Sequence, residues 1–253
     1  QRLDEQRQPE IERADLCHAI LQVLSWGADL KHFQWFTAPP LGGLRATLDT
    51  LHEIHALQDG KITPIGRTLA ELPIHPCWGR VLIAAQQNQR LPEAAALAAI
   101  ITEDAFGLFR DQTLEEAIQF VQHGHCPNRL MQVAGQLTRP LQRTPSSIES
   151  TEKTSHSLAY CVLQGFPKRV GQVRPDRKRV LLSSGSEAWF HTDNGSETPF
   201  IVAVDVYTNN AKKTFINAFL RISHEELDRS VRITHRMVQN KVQAFKEEYI
   251  GGI

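Results

Sequence analysis

The stretch Lys61-Ile-Thr-Pro-Ile-Gly-Arg-Thr-Leu-Ala-Glu-Leu-Pro-Ile-His-Pro76 constrains the fold more than any other part of this sequence. Asp59-Gly60 supplies a turn just before it. Thr63 followed by Pro64 reads as a helix N-cap with proline in the first helical position, where a missing N–H does no harm. Ile65, Leu69 and Leu72 recur at helical spacing, so this short helix has one face to bury. Pro73 stops it, and Pro76 opens a second helix whose Val81, Leu82 and Ala85 form another apolar stripe. A helix, a turn with a short extended wing, then two clipped helices is the build of a winged-helix module.

The chain of 253 residues has room for two or three small domains with their own cores. Its 28 basic residues balance 28 acidic ones, so any electrostatic footprint must come from local clustering. Four scattered cysteines, Cys17, Cys77, Cys126 and Cys161, contain no C-x-x-C pair, which argues against a disulfide framework and fits a reducing compartment. No apolar run approaches the ~20 residues of a membrane span, and the amino terminus is polar. The expectation is a soluble cytoplasmic protein. The chain opens at Gln1 without methionine, as a piece of a longer protein would.

Helical periodicity continues on both sides of the opening motif. Ile11 to Trp26 is apolar at Ala14, Leu16, Ile20, Leu21, Val23 and Leu24, with Gly27 as its stop. A short helix is expected around Leu30 to Phe36, broken by Pro39-Pro40. Leu41 to Leu57 reads as a helix with one buried stripe. Pro92 to Glu103 is rich in alanine and leucine, and Thr113-Leu-Glu-Glu116 is a capping-box signature for a helix to Gln122. Asn128 to Leu141 turns Leu130, Val133, Ala134 and Leu137 inward. From Gln142 to Ser155 apolar content almost vanishes, as in a linker. After a helix from His156 to Gln164 the period becomes two. Val170–Val173, Arg179–Leu182, Ala188–Phe190, Phe200–Tyr207 and Thr214–Ile222 read as strands, with turns at Asp193-Asn-Gly195 and Asn209-Asn210. Several short strands after one helix suggest a small closed sheet of the OB type. Val238, Val242, Phe245 and Tyr249 also fit helical spacing, leaving 231–250 open between helix and hairpin on pattern alone.

What is missing narrows the chemistry. No G-x-x-x-x-G-K-[ST] loop exists to cradle phosphates, and no Asp-Glu-x-His motif to hold magnesium. This chain alone is not expected to hydrolyse ATP or to catalyse any other reaction. His52-Glu-Ile-His55 is one residue short of a zinc-protease pair, and His123-Gly-His-Cys126 has no second cluster at zinc spacing, so no metal site is expected. The strongest positive signal is Lys168, Arg169, Arg174, Arg177, Lys178 and Arg179, six cations against Asp176 alone. On a strand and its turn they make a phosphate-contacting ridge, extended by Lys212 and Lys213; the competing reading is a solvated hairpin that blunts a sheet edge. Phe166, Trp189, Phe190 and Tyr207 are candidates either for base stacking or for core.

These elements carry a resemblance. Pro9-Glu-Ile-Glu-Arg-Ala-Asp-Leu16, Phe36-Thr-Ala-Pro-Pro40 and the 61–76 motif, in that order and spacing, resemble the region after the second RecA-like domain of DEAH-box helicases of the bacterial HrpB type. Thr37 departs from it, standing where that family has an acidic residue. The resemblance runs from about Pro9 to Ser223 and implies a multidomain α+β architecture: a winged helix and a mainly α helical bundle, followed by an OB-fold-like small β-barrel that begins at Gly165-Phe-Pro-Lys-Arg169. The implied divisions are a linker from a missing RecA-like domain at 1–12, a winged helix at 13–88, a ratchet-like bundle at 89–142, a linker at 143–155, the barrel domain at 156–230 and a truncated tail domain at 231–253. In the tail it implies a hairpin with Gln239-Asn240 near its turn, the reading adopted here. It further implies contact with single-stranded RNA or DNA, coupling to RecA-like domains through Arg13 and Arg67, and ATP with magnesium only in those missing domains. A non-catalytic protein-docking module on the same folds is the alternative.

Overall fold

The computed structural model describes residue 11 and residues 14–109, 112–143, 156–191, 196–227, 229–238 and 241–250, with side chains as far as 227 except at 143. Arg13, the Asp193-Asn-Gly195 turn, Gln239-Asn240 and residues 144–155 of the expected linker lie outside the described residues.

The amino-terminal unit contains α1 (Cys17–Ser25), α2 (Leu41–Glu53), the wing strands β1 (Leu57–Gln58) and β2 (Lys61–Ile62), α3 (Pro64–Glu71) and α4 (Pro76–Gln87). Asp59 and Gly60 sit at φ 50° and 73°, the paired left-handed conformations that close a two-residue hairpin. Thr63 caps α3 as its sequence requires, accepting from the Gly66 N–H at 3.0 Å while its hydroxyl donates to the His55 carbonyl at 2.7 Å. Leu69 and Leu72 are fully buried. α4 is buried on every side from Pro76 to Ala85, not along one stripe, because α3, α5 and α8 all pack against it.

Two expectations change here. Residues 30–36 form a turn at 30–32 and no helix. The Asp29 carboxylate accepts from the Lys31 N–H and from the His32 ring, so a side chain takes the bond that a helical carbonyl would have taken. α2 stops at Glu53, since His55 at φ 59° cannot continue a right-handed helix. Leu57 therefore starts the wing, and Leu41, at the far end of the helix, is exposed.

The helical region continues with α5 (Leu91–Thr102), α6 (Leu114–Gln122), α7 (Asn128–Arg143) and α8 (Leu158–Gly165). α5 is apolar all round and lies between α4, α6 and α7. At α6 both halves of the capping box form: Thr113 Oγ1 accepts from Glu116 N–H, and the Glu116 carboxylate accepts from Thr113 N–H. The Thr113 N–H, and after it the Thr113 hydroxyl, donate to the Glu116 carboxylate and hold it below the usual range. Thr113→Ala is expected to destabilise the chain by about 1 kcal/mol in a thermal or denaturant melt, with Thr113→Ser nearly neutral.

After a 3-10 turn at Pro167–Arg169 come β3 (Val170–Val173), β4 (Arg179–Leu182), β5 (Glu187–Phe190), β6 (Phe200–Thr208) and β7 (Thr214–Arg221). They close into a barrel in the order β3-β4-β5-β7-β6, with β5 parallel to β7 and every other pair antiparallel. That is OB-fold connectivity. Beyond it, β8 (Arg229–Val238) and β9 (Lys241–Ile250) form an antiparallel hairpin, the extended alternative for the tail. One buried cluster runs from Leu16 through the helices to Val202, Val204 and Leu220 on the barrel, while Val180, Ala188, Phe190, Ile201 and Ile216 fill the barrel interior. Among the described residues no helix is long and apolar enough to cross a membrane.

Candidate nucleic-acid interface

Two bulges decide which way the barrel strands face. Ala203 pairs with Phe219, Asp205 with Ala218 and Val206 with Ile216, so Val204 and Asn217 are each one residue extra. An extra residue inverts the in–out alternation beyond it. On one side of the bulges Val202, Val204, Ala218 and Leu220 join the helical core. On the other, Val206 and Ile216 point into the barrel, which turns Tyr207 and Phe215 outward.

The strand registers then align four outward side chains across four strands. Arg179 is opposite Trp189, Trp189 is beside Phe215, and Phe215 is opposite Tyr207. The Tyr207 and Phe215 rings stack at 5.3 Å between centroids and 18° between planes. His191 lies at one end with its ring edge-on to Tyr207 at 6.0 Å and its Nδ1 3.1 Å from the phenol oxygen. Lys213 Nζ sits 5.5 Å from the Trp189 ring centroid.

Two loops border this row. In the first, residues 174–178, the Asp176 carboxylate accepts from the N–H groups of Lys178 and Arg179 and from Arg179 Nε at 2.6 Å. The Arg179 bond in particular keeps the Asp176 carboxyl below its ordinary value. Glu187 on β5 lies between Arg174 at 3.6 Å and Arg179 at 3.5 Å. Arg177, at φ 56°, and Lys178 stand exposed at the tip. In the second loop, residues 209–213, Asn209 Oδ1 accepts from Ala211 and Lys213 N–H, so Lys212 and Lys213 are carried on a closed turn and exposed.

The structure thus divides the expected basic ridge. Arg174, Arg177, Lys178, Arg179, Lys212 and Lys213 surround the outward aromatic row. Lys168 ion-pairs with Glu53 of α2. Arg169 turns inward: Nη1 donates to the Val204 carbonyl, and its guanidinium lies 4.2 Å from the Phe166 centroid, with burial lowering its pKa. Phe166 in turn meets Trp78 edge-on at 4.9 Å, and Phe190 is buried inside the barrel. Of the aromatic candidates, Trp189 and Tyr207 face outward; Phe215 and His191 were missed, because alternation alone does not reveal which face a strand turns to solvent once a bulge intervenes. Arg67 is exposed on α3.

Elsewhere among the described residues, one group of side chains approaches metal-ligand geometry. Asp15, Cys17 and His75 bring potential ligand atoms within 4.8 Å of one another. His75 Nδ1 accepts from Cys77 N–H at 3.2 Å, so Nε2 carries the proton and meets Asp15 Oδ1 at 3.3 Å. Asp15 also accepts from Cys17 N–H, so the pair ties the first turns of α1 and α4 together and turns a proton, not a lone pair, toward the gap. Burial pushes the Cys17 thiol up and the Cys77 and Cys161 thiols to about 12, which keeps all three from acting as thiolates. His52 and His55 are exposed beside the wing, and the His123 ring is bonded to the Gln119 carbonyl.

The sequence profile of the helicase-associated (HA2) winged-helix domain matches residues 47–74, across α2, the wing and α3. The chain is 34% identical over 96 residues to the pre-mRNA-splicing factor ATP-dependent RNA helicase prp22 of Schizosaccharomyces pombe, covering 37% of this chain and 8% of that protein. It is 31% identical over 120 residues to the pre-mRNA-splicing factor ATP-dependent RNA helicase DEAH10 of Arabidopsis thaliana, covering 46% of this chain and 17% of that protein. The chain therefore matches less than a fifth of the length of either relative. A structure of the Escherichia coli DExH-box NTPase HrpB superimposes with a TM-score of 0.77 at 23% identity, over 98% of this chain and 30% of that one. A second Escherichia coli HrpB structure gives 0.76 at 22% identity, over 97% of this chain and 31% of that one. The wing motif, the helices around α5 and the closed barrel thus occur together and in order: residues 47–74 match the helicase-associated (HA2) winged-helix domain, and the chain as a whole has the fold of the corresponding part of the HrpB structures, in keeping with similarity to the accessory region of DEAH-box helicases.

Proposed function

We propose that this chain forms part of the nucleic-acid channel of an ATP-dependent helicase and grips the backbone of single-stranded RNA or DNA without reading sequence. ATP and magnesium are assigned to RecA-like domains of the parent, because this sequence carries no phosphate-cradling loop. Arg67 on α3 and Arg13 are assigned to coupling with that motor. The observation that carries the reading is the placement of exposed Arg177, Lys178, Lys212 and Lys213 on two loops of one OB-type barrel. The strand faces and loops in these positions are where that fold binds oligonucleotides.

Titrating the chain into a fluorescein-labelled oligouridine across a salt series tests it. Neutralising four phosphates gives a slope of log affinity against log salt of about −3. Replacing Arg177, Lys178, Lys212 and Lys213 together by alanine is expected to abolish most of that slope. Affinity that ignores both salt and the fourfold substitution sinks the proposal. A protein-docking role is favoured by a separate observation, the exposure of Trp26, Phe36 and Leu41 at the winged-helix end. It predicts no oligonucleotide binding at all.

A further inference from the structure

We propose that the outward row Trp189–Phe215–Tyr207 stacks unpaired bases, so that the barrel distinguishes single strands from duplex by contact with bases and not by charge alone. The proposal rests on the backbone-contact reading above and adds to it the part of the ligand that the aromatic row recognises. Three observations carry it. The side chains are placed side by side by backbone register on β5, β7 and β6, so the row is built into the barrel and does not depend on loop conformation. Tyr207 and Phe215 already stand as a two-ring column at 5.3 Å, and Tyr207 is 38% exposed, so a base can extend an existing stack. The cations bordering the row, Lys212 and Lys213 on one loop and Arg177 and Lys178 on the other, suit a ligand with a flat π-face and an anionic backbone.

Among the described residues, the acidic groups beside the row are already engaged. Glu187 lies between Arg174 and Arg179, Asp176 is bonded to Arg179, and Asp205 accepts from Asn217. Lys213 has a particular part. Its ammonium lies against the Trp189 ring, an attraction of the cation–π kind. An arriving phosphate competes for that ammonium, and its withdrawal uncovers the indole for the neighbouring base. His191, bonded to the Tyr207 hydroxyl, fixes the orientation of the phenol ring. Bases in a duplex are sheltered by their own neighbours, so duplex offers phosphates to this surface without π-faces.

The test compares three ligands of equal phosphate count, an oligouridine, its abasic counterpart and a blunt RNA duplex, against the full chain by fluorescence anisotropy at one salt concentration. A deoxy-oligonucleotide arm separates a need for the 2′-hydroxyl from stacking, which both sugars permit. Oligouridine is expected to bind about tenfold more tightly than the abasic polymer, as one good stacking contact gives. Tyr207→Ala is expected to remove most of that ratio and to leave the salt slope unchanged; Tyr207→Phe keeps the ratio, which separates stacking from loss of the His191 bond. Equal binding of oligouridine and abasic polymer overturns the stacking proposal alone, as does an equal loss for both with Tyr207→Ala. No binding of any polymer overturns the backbone reading and the stacking proposal together.

Discussion

Gly165→Ala is expected to destabilise this chain by about 3 kcal/mol, at the upper end of overpacking effects, with a matching fall in denaturation midpoint. A Cβ at this position falls 2.1 Å from the Cys77 carbonyl oxygen and 2.8 Å from Val81 Cγ2. The first obstacle is backbone, so no rotamer change relieves it, and α8 must move off α4. That movement opens a face lined by fully buried Val81, Cys161 and Val162 and shifts the start of the barrel, which follows α8 after one 3-10 turn. Gly135→Ala in α7 is the matched control. Nothing lies within 4 Å of its added Cβ, and alanine is the better helix former, so stability should rise by about 0.5–1 kcal/mol. Two glycine-to-alanine changes in helices of one chain should therefore move the midpoint in opposite directions. If Gly165→Ala leaves the midpoint unchanged or raises it, α4 and α8 do not touch as closely as described.

The sequence was most legible where one residue's chemistry fixes its own backbone. Thr63 before Pro64, the Thr113–Glu116 box and the period-two runs from Val170 onward each solve a local hydrogen-bonding or burial problem, and each appears in the fold. Reading failed where a side chain took over a backbone bond, as Asp29 does at the expected Leu30–Phe36 helix. It failed also where burial depends on partners distant in sequence. Nothing local to α4 says that it will be enclosed by α3, α5 and α8. At the candidate site the cations were visible as composition, but their division was not. Lys168 finds Glu53 far back in the winged helix, and Arg174 and Arg179 share Glu187. The aromatic row was half visible, since Trp189 and Tyr207 stood out while Phe215 needed the register across β5, β6 and β7. The bulges at Val204 and Asn217 reverse the face presented by those strands, and a bulge depends on how two strands pair.

Arg169→Ala is expected to destabilise the chain by about 3 kcal/mol and to loosen the barrel against the helices. The guanidinium bonds the Val204 carbonyl on the bulged strand and lies over Phe166, which packs against Trp78 of α4. One side chain thus joins α4, the end of α8 and β6. A charged donor to a buried carbonyl contributes about 1.5–3 kcal/mol and a desolvated cation–π contact about 2; the two overlap, since they share one group. Removing the guanidinium also strands the Val204 carbonyl at a bulge, where no strand partner replaces the bond. Arg169→Lys keeps the charge but not the shape: a point-like ammonium cannot lie flat on Phe166 while donating sideways to Val204. Lysine should therefore recover less than half of the loss. A residue that acted only on phosphates would behave differently, since its lysine variant would keep both stability and salt slope. Denaturation midpoints of the alanine and lysine variants, read beside their oligouridine salt slopes, separate the two roles: lost stability with an unchanged slope assigns Arg169 to the joint, and unchanged stability with a shallower slope returns it to the ridge.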